Sequence, residues 1–429
     1  MSHPSHPLIA QALRRLPRGV NRAWPIAAGV AGSLLLASCD NGYGHDGNCY
    51  SCFSGTPVEF SYGVVSADFN GDGFADVVAL NTAFPIEAPG ASNLRSYLST
   101  GAGAFAAPTS AAAGTDPLYI AAADVNGDGA PDVVTASFDD GTLSVFFNNV
   151  QSPGTFNTPL VLMSDGASQV AIGDMTGDGL PDLVSADYNV SLFVQTSPGT
   201  FAAPVALYPG GANWVAVGDL NGDGAPDVVL TDGVGVKLLL HTGAASATTY
   251  ATPVSVFTQT ANQNLQGANI IAIADVDGDG LNDLVISDPG PTGGTAPTVN
   301  ILLQDPANHG TFLPAVAYPI ATQDIVQSIV LADLEGSGRL DIVIGERNSV
   351  TVLLHDPANP GKFLPATVYA APAANQVAVA DVNGDGRPDI VVSNGVSTPT
   401  VNNVVTTSPG VLLQSATTAG TFGALQDLP

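Results

Sequence analysis

Basic residues are scarce in this chain of 429 residues, which contains 10 Lys and Arg against 38 Asp and Glu. Only six of the ten follow Cys39, and these six form no cluster in the sequence. A protein that binds nucleic acid needs a basic patch to neutralise phosphate groups. The composition therefore argues against nucleic acid as a partner.

Cysteine, histidine and long apolar runs are scarce as well. The chain has 3 Cys and 6 His, and it contains neither a Gly-x-Ser-x-Gly elbow nor a zinc-type His cluster. The apolar stretch from Ile26 to Leu36 is too short to span a bilayer as a mature helix, and no other segment is longer. Catalysis therefore has few candidate residues.

Glycine and proline are abundant, with 48 Gly and 32 Pro, whereas only 11% of the residues are charged. Such a chain is rich in turns and apolar enough to bury a large core of short strands. Runs such as Val133-Val134 and Ile390-Val391-Val392 are β-branched, as strands prefer. The composition predicts an all-β protein.

One aspartate-rich loop recurs seven times, and its clearest copy reads Asp381-Val-Asn383-Gly-Asp385-Gly-Arg-Pro-Asp389. Successive copies start 56, 50, 45, 56, 58 and 48 residues apart. A regular period of this size indicates one supersecondary unit per repeat, stacked or arranged in a ring. Every copy has oxygen-bearing side chains at positions 1, 3, 5 and 9 and glycine at positions 4 and 6.

Oxygen ligands at alternate positions of a short turn suit calcium. The side chains at positions 1, 3, 5 and 9, with a backbone carbonyl at position 7, can surround one ion, and the glycines let the backbone turn tightly. The candidate ligands are Asp68, Asn70, Asp72 and Asp76; Asp124, Asn126, Asp128 and Asp132; Asp174, Thr176, Asp178 and Asp182; Asp219, Asn221, Asp223 and Asp227; Asp275, Asp277, Asp279 and Asp283; Asp333, Glu335, Ser337 and Asp341; and Asp381, Asn383, Asp385 and Asp389.

An EF-hand begins in the same way, but it needs a bidentate Glu at position 12 and a helix on each side. No copy carries that Glu, and the flanking runs are typical of strands. The residues at position 12 are Ala79, Thr135, Ser185, Leu230, Ile286, Ile344 and Val392.

The repeats resemble the FG-GAP or VCBS family, whose blades also build the head of integrin α subunits. Three elements carry the resemblance in a fixed order: the nine-residue loop, a strand such as Val236 to Leu240, and a segment such as Gly199-Thr-Phe201-Ala-Ala-Pro204. The resemblance covers about residues 58–429. It implies a seven-bladed β-propeller of four-stranded blades, in which each calcium loop joins the first strand of a blade to the second.

The seven loops hold 22 of the 38 acidic residues at these positions, so most of the net charge of −28 lies where a cation would neutralise it. We expect six or seven bound Ca²⁺ ions. The sixth loop departs from the pattern, because it has Glu335 at position 3 and Ser337 at position 5. Its ion should bind weakly or be absent.

Residues 1–38 resemble the signal peptide of a bacterial lipoprotein. A basic segment with Arg14 and Arg15 precedes the apolar stretch, and Leu36-Ala37-Ser38-Cys39 closes it. The resemblance implies export and lipidation of Cys39, with a membrane anchor in the cell envelope. The sequence leaves open which membrane leaflet holds the anchor.

Residues 39–57 are predicted to be a flexible tether, since they are rich in Gly, Asn and Ser. Cys49 and Cys52 can form a small disulfide after export, or take a redox or metal role with His45. Both interpretations remain open at this point.

Loop lengths single out the propeller face opposite the calcium loops. The connections between second and third strands are long in the first, fifth and seventh repeats, and so is the link from the fourth repeat to the fifth. These long connections either carry a ligand site or are insertions that the fold merely tolerates on this face. Tyr119 and Trp214, five residues before their loops, face this side and either bind a ligand or plug the central channel.

These features predict a non-catalytic module for binding or adhesion to a protein or glycan, with a glycan-active enzyme or a purely structural envelope protein as alternatives. His241 and His355 share one repeat position with polar residues in the other copies, which favours a structural role over a catalytic one. Those residues are Ser99, Asn148, Gln195, Gln304 and Gln414.

Overall fold

A computed structural model describes most of the chain after residue 57. The chain separates into two units, 1–53 and 54–429. The signal segment 1–38, the tether 39–57 and Cys39, Cys49 and Cys52 lie outside the described residues, so the expectations for them stay predictions. The described residues are 58–84, 92–115, 117–243, 248–258, 270–289, 297–320, 326–372, 374–393, 400–401, 404–406 and 408–429.

The described residues form a seven-bladed β-propeller of four-stranded blades and contain no helix, so none there could cross a membrane. This confirms the predicted fold class. We number the blades by their loops. The first strands, which lie innermost, are β1 (Val58–Ala67), β5 (Pro117–Ala123), β9 (Gln169–Gly173), β15 (Trp214–Gly218), β19 (Ile271–Ala274), β23 (Val326–Ala332) and β27 (Val377–Ala380).

The other strands follow in antiparallel order in each blade. The second strands are β2 (Asp76–Phe84), β6 (Asp132–Ser137), β10 (Asp182–Ala186), β16 (Asp227–Asp232), β20 (Asp283–Asp288), β24 (Asp341–Glu346) and β28 (Asp389–Val392). The third strands are β3 (Asn93–Tyr97), β7 (Thr142–Phe146), β11 (Val190–Phe193), β17 (Gly235–Leu239), β21 (Thr298–Leu302), β25 (Ser349–Leu353) and β31 (Gly410–Leu412). The fourth strands are β4 (Thr109–Ala112), β8 (Leu160–Met163), β14 (Val205–Tyr208), β18 (Val254–Thr258), β22 (Val316–Pro319), β26 (Thr367–Ala370) and β32 (Gln426–Asp427).

Burial follows the position of a strand in its blade. The second strands of blades 2 to 7, such as β24 with the sequence DIVIGE, are buried except for the half-buried Asp232 at the end of β16, as expected for strands covered on both faces. The fourth strands, such as β26, are mostly exposed. The sequence reflects this difference in its runs of Val, Ile and Leu directly after each loop.

Apolar contacts join neighbouring blades around a closed ring. Seven buried clusters each combine residues of two adjacent blades. The closing cluster packs Val64 and Val77 of blade 1 against Val382 and Val391 of blade 7. Each such side chain contributes about 1.5–3 kcal/mol relative to an exposed one, so the ring depends on these inter-blade surfaces.

Four further strands lie outside the regular blades. In blade 3, β12 (Gln195–Ser197) pairs with β13 (Thr200–Phe201). In the long connection of blade 7, β29 (Thr400–Val401) pairs with β30 (Val404–Thr406), and β30 runs parallel to the start of β1. Blade 7 is therefore hydrogen-bonded to blade 1 through this insertion, a contact that the sequence did not predict.

The innermost strands approach closely at the end of the channel away from the loops. A Cβ atom added to Gly63 would lie 2.6 Å from Ile120 Cγ2 and 2.7 Å from Gln376 Oε1. Gln376 Nε2 donates to the carbonyl of Ile120 at 3.0 Å, and so connects blade 7 to blade 2 across blade 1. Glycine at position 63 is thus required by close packing of three blades.

The Gly63→Ala substitution tests this packing. We expect it to lower the free energy of unfolding by about 1–3 kcal/mol, because the added carbon overlaps two neighbours. The same change at Gly218, where the nearest atom lies 3.1 Å away, should cost less. Urea denaturation of both variants measures the difference, and equal midpoints would contradict the close approach.

Candidate functional site

All seven aspartate loops lie at one end of the propeller, where each joins the first strand of a blade to the second. This confirms their predicted place. The glycines at positions 4 and 6 have φ between 67° and 92° in every copy, a region that other residues rarely adopt. The carboxylate at position 1 accepts a hydrogen bond from the backbone N–H of position 6 in all seven loops, at 2.6–2.9 Å.

The aspartate at position 9 is buried and holds two parts of each blade together. One carboxylate oxygen accepts the N–H of loop position 2 at 2.8–3.2 Å. The other accepts the N–H of the residue that follows the third strand by two positions, at 2.7–2.8 Å. The loop is therefore tied to the far side of its own blade by one side chain.

Burial makes the charged form of these carboxyls unfavourable, although the backbone N–H groups partly offset this effect. Desolvation raises the pKa of Asp182 above its ordinary value. The same cause raises the pKa to about 6 for Asp76, Asp132, Asp227, Asp283 and Asp389. A cation bound in the loop would favour the charged form again.

The residue two positions after the third strand, which the sequence predicts to be structural, connects blades. In blades 1, 2, 3 and 7 its side chain donates to the carbonyl of loop position 2 in the preceding blade, whereas Gln304 of blade 5 donates to Asn282 of its own blade. Asn148 reaches Phe69 at 2.8 Å, Gln195 reaches Val125 at 2.9 Å, and Gln414 reaches Leu334 at 2.9 Å. Ser99 closes the ring in the same way, by donating to Val382 at 3.1 Å.

In blades 1, 5, 6 and 7, the Gly-x-Phe turn between the third and fourth strands also contacts the loop of the preceding blade. A Cβ atom added to the turn glycine would lie 3.1–3.5 Å from the side chain at loop position 3 of the preceding blade. These glycines have φ of 70–80°. The loops thus form part of the joints between blades, at the pairs Gly103 and Asn383, Gly310 and Asn221, Gly361 and Asp277, and Gly420 and Glu335.

The donor atoms of loop 5 converge in the way that a metal ion requires, since ligand atoms of Asp275, Asp277 and Asp283 lie within 4.8 Å of one another. In loops 1, 2 and 4, the side-chain amide nitrogen of the Asn at position 3 instead donates to the carboxylate at position 5 at 3.0–3.1 Å, as Asn70 does to Asp72. Carboxylate oxygens have two lone pairs each, so those that accept one N–H keep one for a cation. The acidic groups of loop 5 can therefore hold a metal ion.

Loop 6 brings together a different set of donors. Ligand atoms of Glu335, Asp341 and His355 lie within 4.8 Å of one another. The sequence identifies Glu335 and Asp341 as candidate ligands but misses His355, because the ring lies next to the loop only after the third strand has paired with the second.

Tyr119 and Trp214 lie against each other. Their rings meet edge to face with centroids 5.3 Å apart, and Trp214 Nε1 donates to the carbonyl of Ile271 at 3.1 Å. Burial raises the pKa of the Tyr119 phenol above its ordinary value. These contacts join the inner strands of blades 2, 4 and 5, so the two rings serve the packing of the channel.

Another aromatic pair lies on the face opposite the loops, in the turns after the second strands of blades 2 and 3. The rings of Phe138 and Tyr188 are 5.9 Å apart and tilted by 52°. Tyr188 is 53% exposed. Both rings border Gly166, where an added Cβ atom would lie 3.4–3.6 Å from them.

Polar groups surround the pair. Asp139, Asp140 and Asp165 are exposed, and Asn189 Nδ2 donates to Asp165 at 3.0 Å. Sequence patterns did not reveal this surface, because their only indication was an aromatic residue beside acids in two turns of ordinary length. The long connections that the sequence singled out join strand ends on the same face. Parts of these connections lie outside the described residues, namely 85–91, 259–269, 290–296 and 394–399.

The FG-GAP-like repeat family matches six overlapping segments, 68–135, 124–185, 174–230, 219–286, 275–344 and 333–392. Together they cover most of the chain, and the protein therefore belongs to this family. Among curated protein sequences, none matches significantly.

Several solved structures are similar to part of this chain. A lectin from Agrocybe aegerita, which recognises non-reducing terminal N-acetylglucosamine, is 20% identical with a TM-score of 0.49, over 73% of this chain and 80% of the lectin. A putative 6-phosphogluconolactonase from Bacteroides fragilis is 17% identical with a TM-score of 0.46, over 71% and 82%. The V. cholerae biofilm matrix protein Bap1 is 13% identical with a TM-score of 0.40, over 79% and 84%.

Replacement of the position 9 aspartate tests its role as a structural tie. In calcium-free buffer we expect Asp227→Ala to lower the free energy of unfolding by about 2–6 kcal/mol, because two buried N–H groups lose their acceptors. Asp223→Ala, at an exposed position of the same loop, should cost about 1 kcal/mol or less. Urea denaturation distinguishes them, and equal losses would show that position 9 acts only through a bound ion.

Proposed function

We propose that this protein is an exported, lipid-anchored binding module, in which a calcium-stabilised propeller presents the face opposite its loops to a glycan or protein. The pair formed by the exposed Tyr188 and the half-buried Phe138 carries the proposal. An exposed aromatic platform with polar groups beside it is a common form of ligand site.

A glycan suits this platform better than an extended peptide does. The apolar face of a sugar ring can stack on Tyr188, while its hydroxyl groups bond to carboxylates and amides such as Asp165 and Asn189. Phe138 and Tyr188 lie in turns after the second strands and not along a strand edge, where an added peptide strand would pair.

Calcium serves the joints between blades in this proposal and does not contact the ligand. The loops and the aromatic pair lie at opposite ends of the strands. Because calcium binds the folded state only, it stabilises the propeller by mass action. Calcium therefore supports ligand binding indirectly, by keeping blades 2 and 3 in fixed relation.

The anchor in this proposal is the lipid on Cys39. The basic segment, the apolar stretch and the sequence Leu36-Ala37-Ser38-Cys39 support it. Residues 40–57 would then separate the propeller from the membrane, and an extracytoplasmic location supplies the calcium that the loops need.

A glycan array with the full chain tests the proposal. We expect glycan binding in calcium, a loss of affinity of about tenfold on Tyr188→Ala or Phe138→Ala because stacking is lost, and weakened binding after chelation. Val161→Ala is the matched control, since Val161 is 52% exposed on the outer strand of blade 2 and should leave affinity unchanged.

Two results would contradict the proposal. If Tyr188→Ala binds every hit as tightly as the wild type does, the aromatic pair is not the site. If the protein converts a bound glycan to product, it is an enzyme rather than a binding module.

A further inference from the structure

Blade 6 combines two changes that occur together in no other repeat. Its loop has Glu335 at position 3, and the residue two positions after its third strand is His355. Blade 4 has His241 at the latter position, but its loop has Asn221 at position 3. Blade 5 has Asp277 at position 3, but Gln304 after the strand.

The two changed residues lie together with the buried Asp341. His355 Nδ1 is 3.1 Å from Asp341 Oδ1 and 3.8 Å from Glu335 Oε2. His355 is 4% exposed and Asp341 is fully buried. The side chain of Glu335 is 30% exposed, so the cluster opens to solvent on that side.

The orientation of His355 differs from that of the amides at the same position in blades 2, 3 and 7. In blades 2, 3 and 7 the amide at this position donates to a carbonyl of the preceding blade. The imidazole of His355 instead directs Nδ1 at the two acids of its own loop. An imidazole nitrogen and two carboxylates therefore meet at one point.

This donor set does not fit calcium, which is bound by oxygen ligands alone. Ser337 also removes the carboxylate that the other loops have at position 5. One imidazole and two carboxylates suit zinc and similar divalent transition metals, which accept nitrogen and oxygen ligands in sites with three protein ligands and one water.

We propose that loop 6 is a site for a divalent transition metal of the zinc class, with Glu335, Asp341 and His355 as its ligands. Such an ion would connect the loop to the third strand of blade 6, as calcium would connect the parts of the other six loops. This site does not depend on the proposed glycan binding.

Zinc titration of the metal-stripped full chain in excess calcium tests the site. The chain carries Cys39→Ser, Cys49→Ser and Cys52→Ser, which remove the thiols that would also bind zinc. We expect one equivalent of Zn²⁺ to bind, as measured by calorimetry and by metal analysis after dialysis. Bound Co²⁺ should give visible absorption bands from the same site.

Substitutions that copy residues of the other repeats supply the controls. His355→Gln introduces the residue that blades 3, 5 and 7 have at this position, so the variant should fold normally but no longer bind Zn²⁺. Glu335→Asn should weaken Zn²⁺ binding about tenfold or more. His241→Gln should change nothing. A normal melting temperature in calcium shows that each variant is folded.

The proposal is overturned if the chain takes up no zinc in excess calcium. It is also overturned if the His355→Gln variant still binds one equivalent of Zn²⁺ and still shows the cobalt bands. Loss of the bound Zn²⁺ and of the cobalt bands in His241→Gln would overturn it as well. If excess calcium displaces the zinc, loop 6 is a calcium site like the others.

Discussion

The carboxylate at loop position 9 accepts two backbone hydrogen bonds inside every blade, and the rest of the propeller depends on this interaction. It ties the aspartate loop to the end of the third strand. Loops 6 and 7 are then fixed in the place where the next blade contacts them, through a polar side chain and through a Gly-x-Phe turn. One buried acid therefore determines both the shape of a blade and its joint with the next.

The same interaction explains why so acidic a chain can form a compact ring. At Asp227, for example, burial opposes the charge of the position 9 carboxyl, and the half-buried Asp219 and the exposed Asp223 of the same loop repel it. Backbone N–H groups reduce this cost only in part. We propose that a cation in each loop offsets the remaining cost of the buried charge and so stabilises the joints between blades. The opposite face, with Phe138 and Tyr188, is then left for a ligand.

The repeated parts of the molecule could be predicted from the sequence, since each loop carries its own glycines and acids. Their place between first and second strands follows from the family resemblance. Contacts that depend on how blades meet could not be predicted. Gln414 and Leu334 are 80 residues apart, and His355 approaches Glu335 only through strand pairing. Tyr119 and Trp214 illustrate the same limit, because only the closed ring brings these rings into contact.

Amide hydrogen exchange, followed by mass spectrometry with calcium and after its removal, tests the central claim most directly. We expect calcium removal to speed exchange in loops 1–5 and 7 and in the Gly-x-Phe turns packed on them, while the buried second strands stay protected. The loop of blade 6 should respond little to calcium. Equal exchange in both states, or a uniform loss of protection across all strands, would contradict the view that calcium acts at the joints between blades.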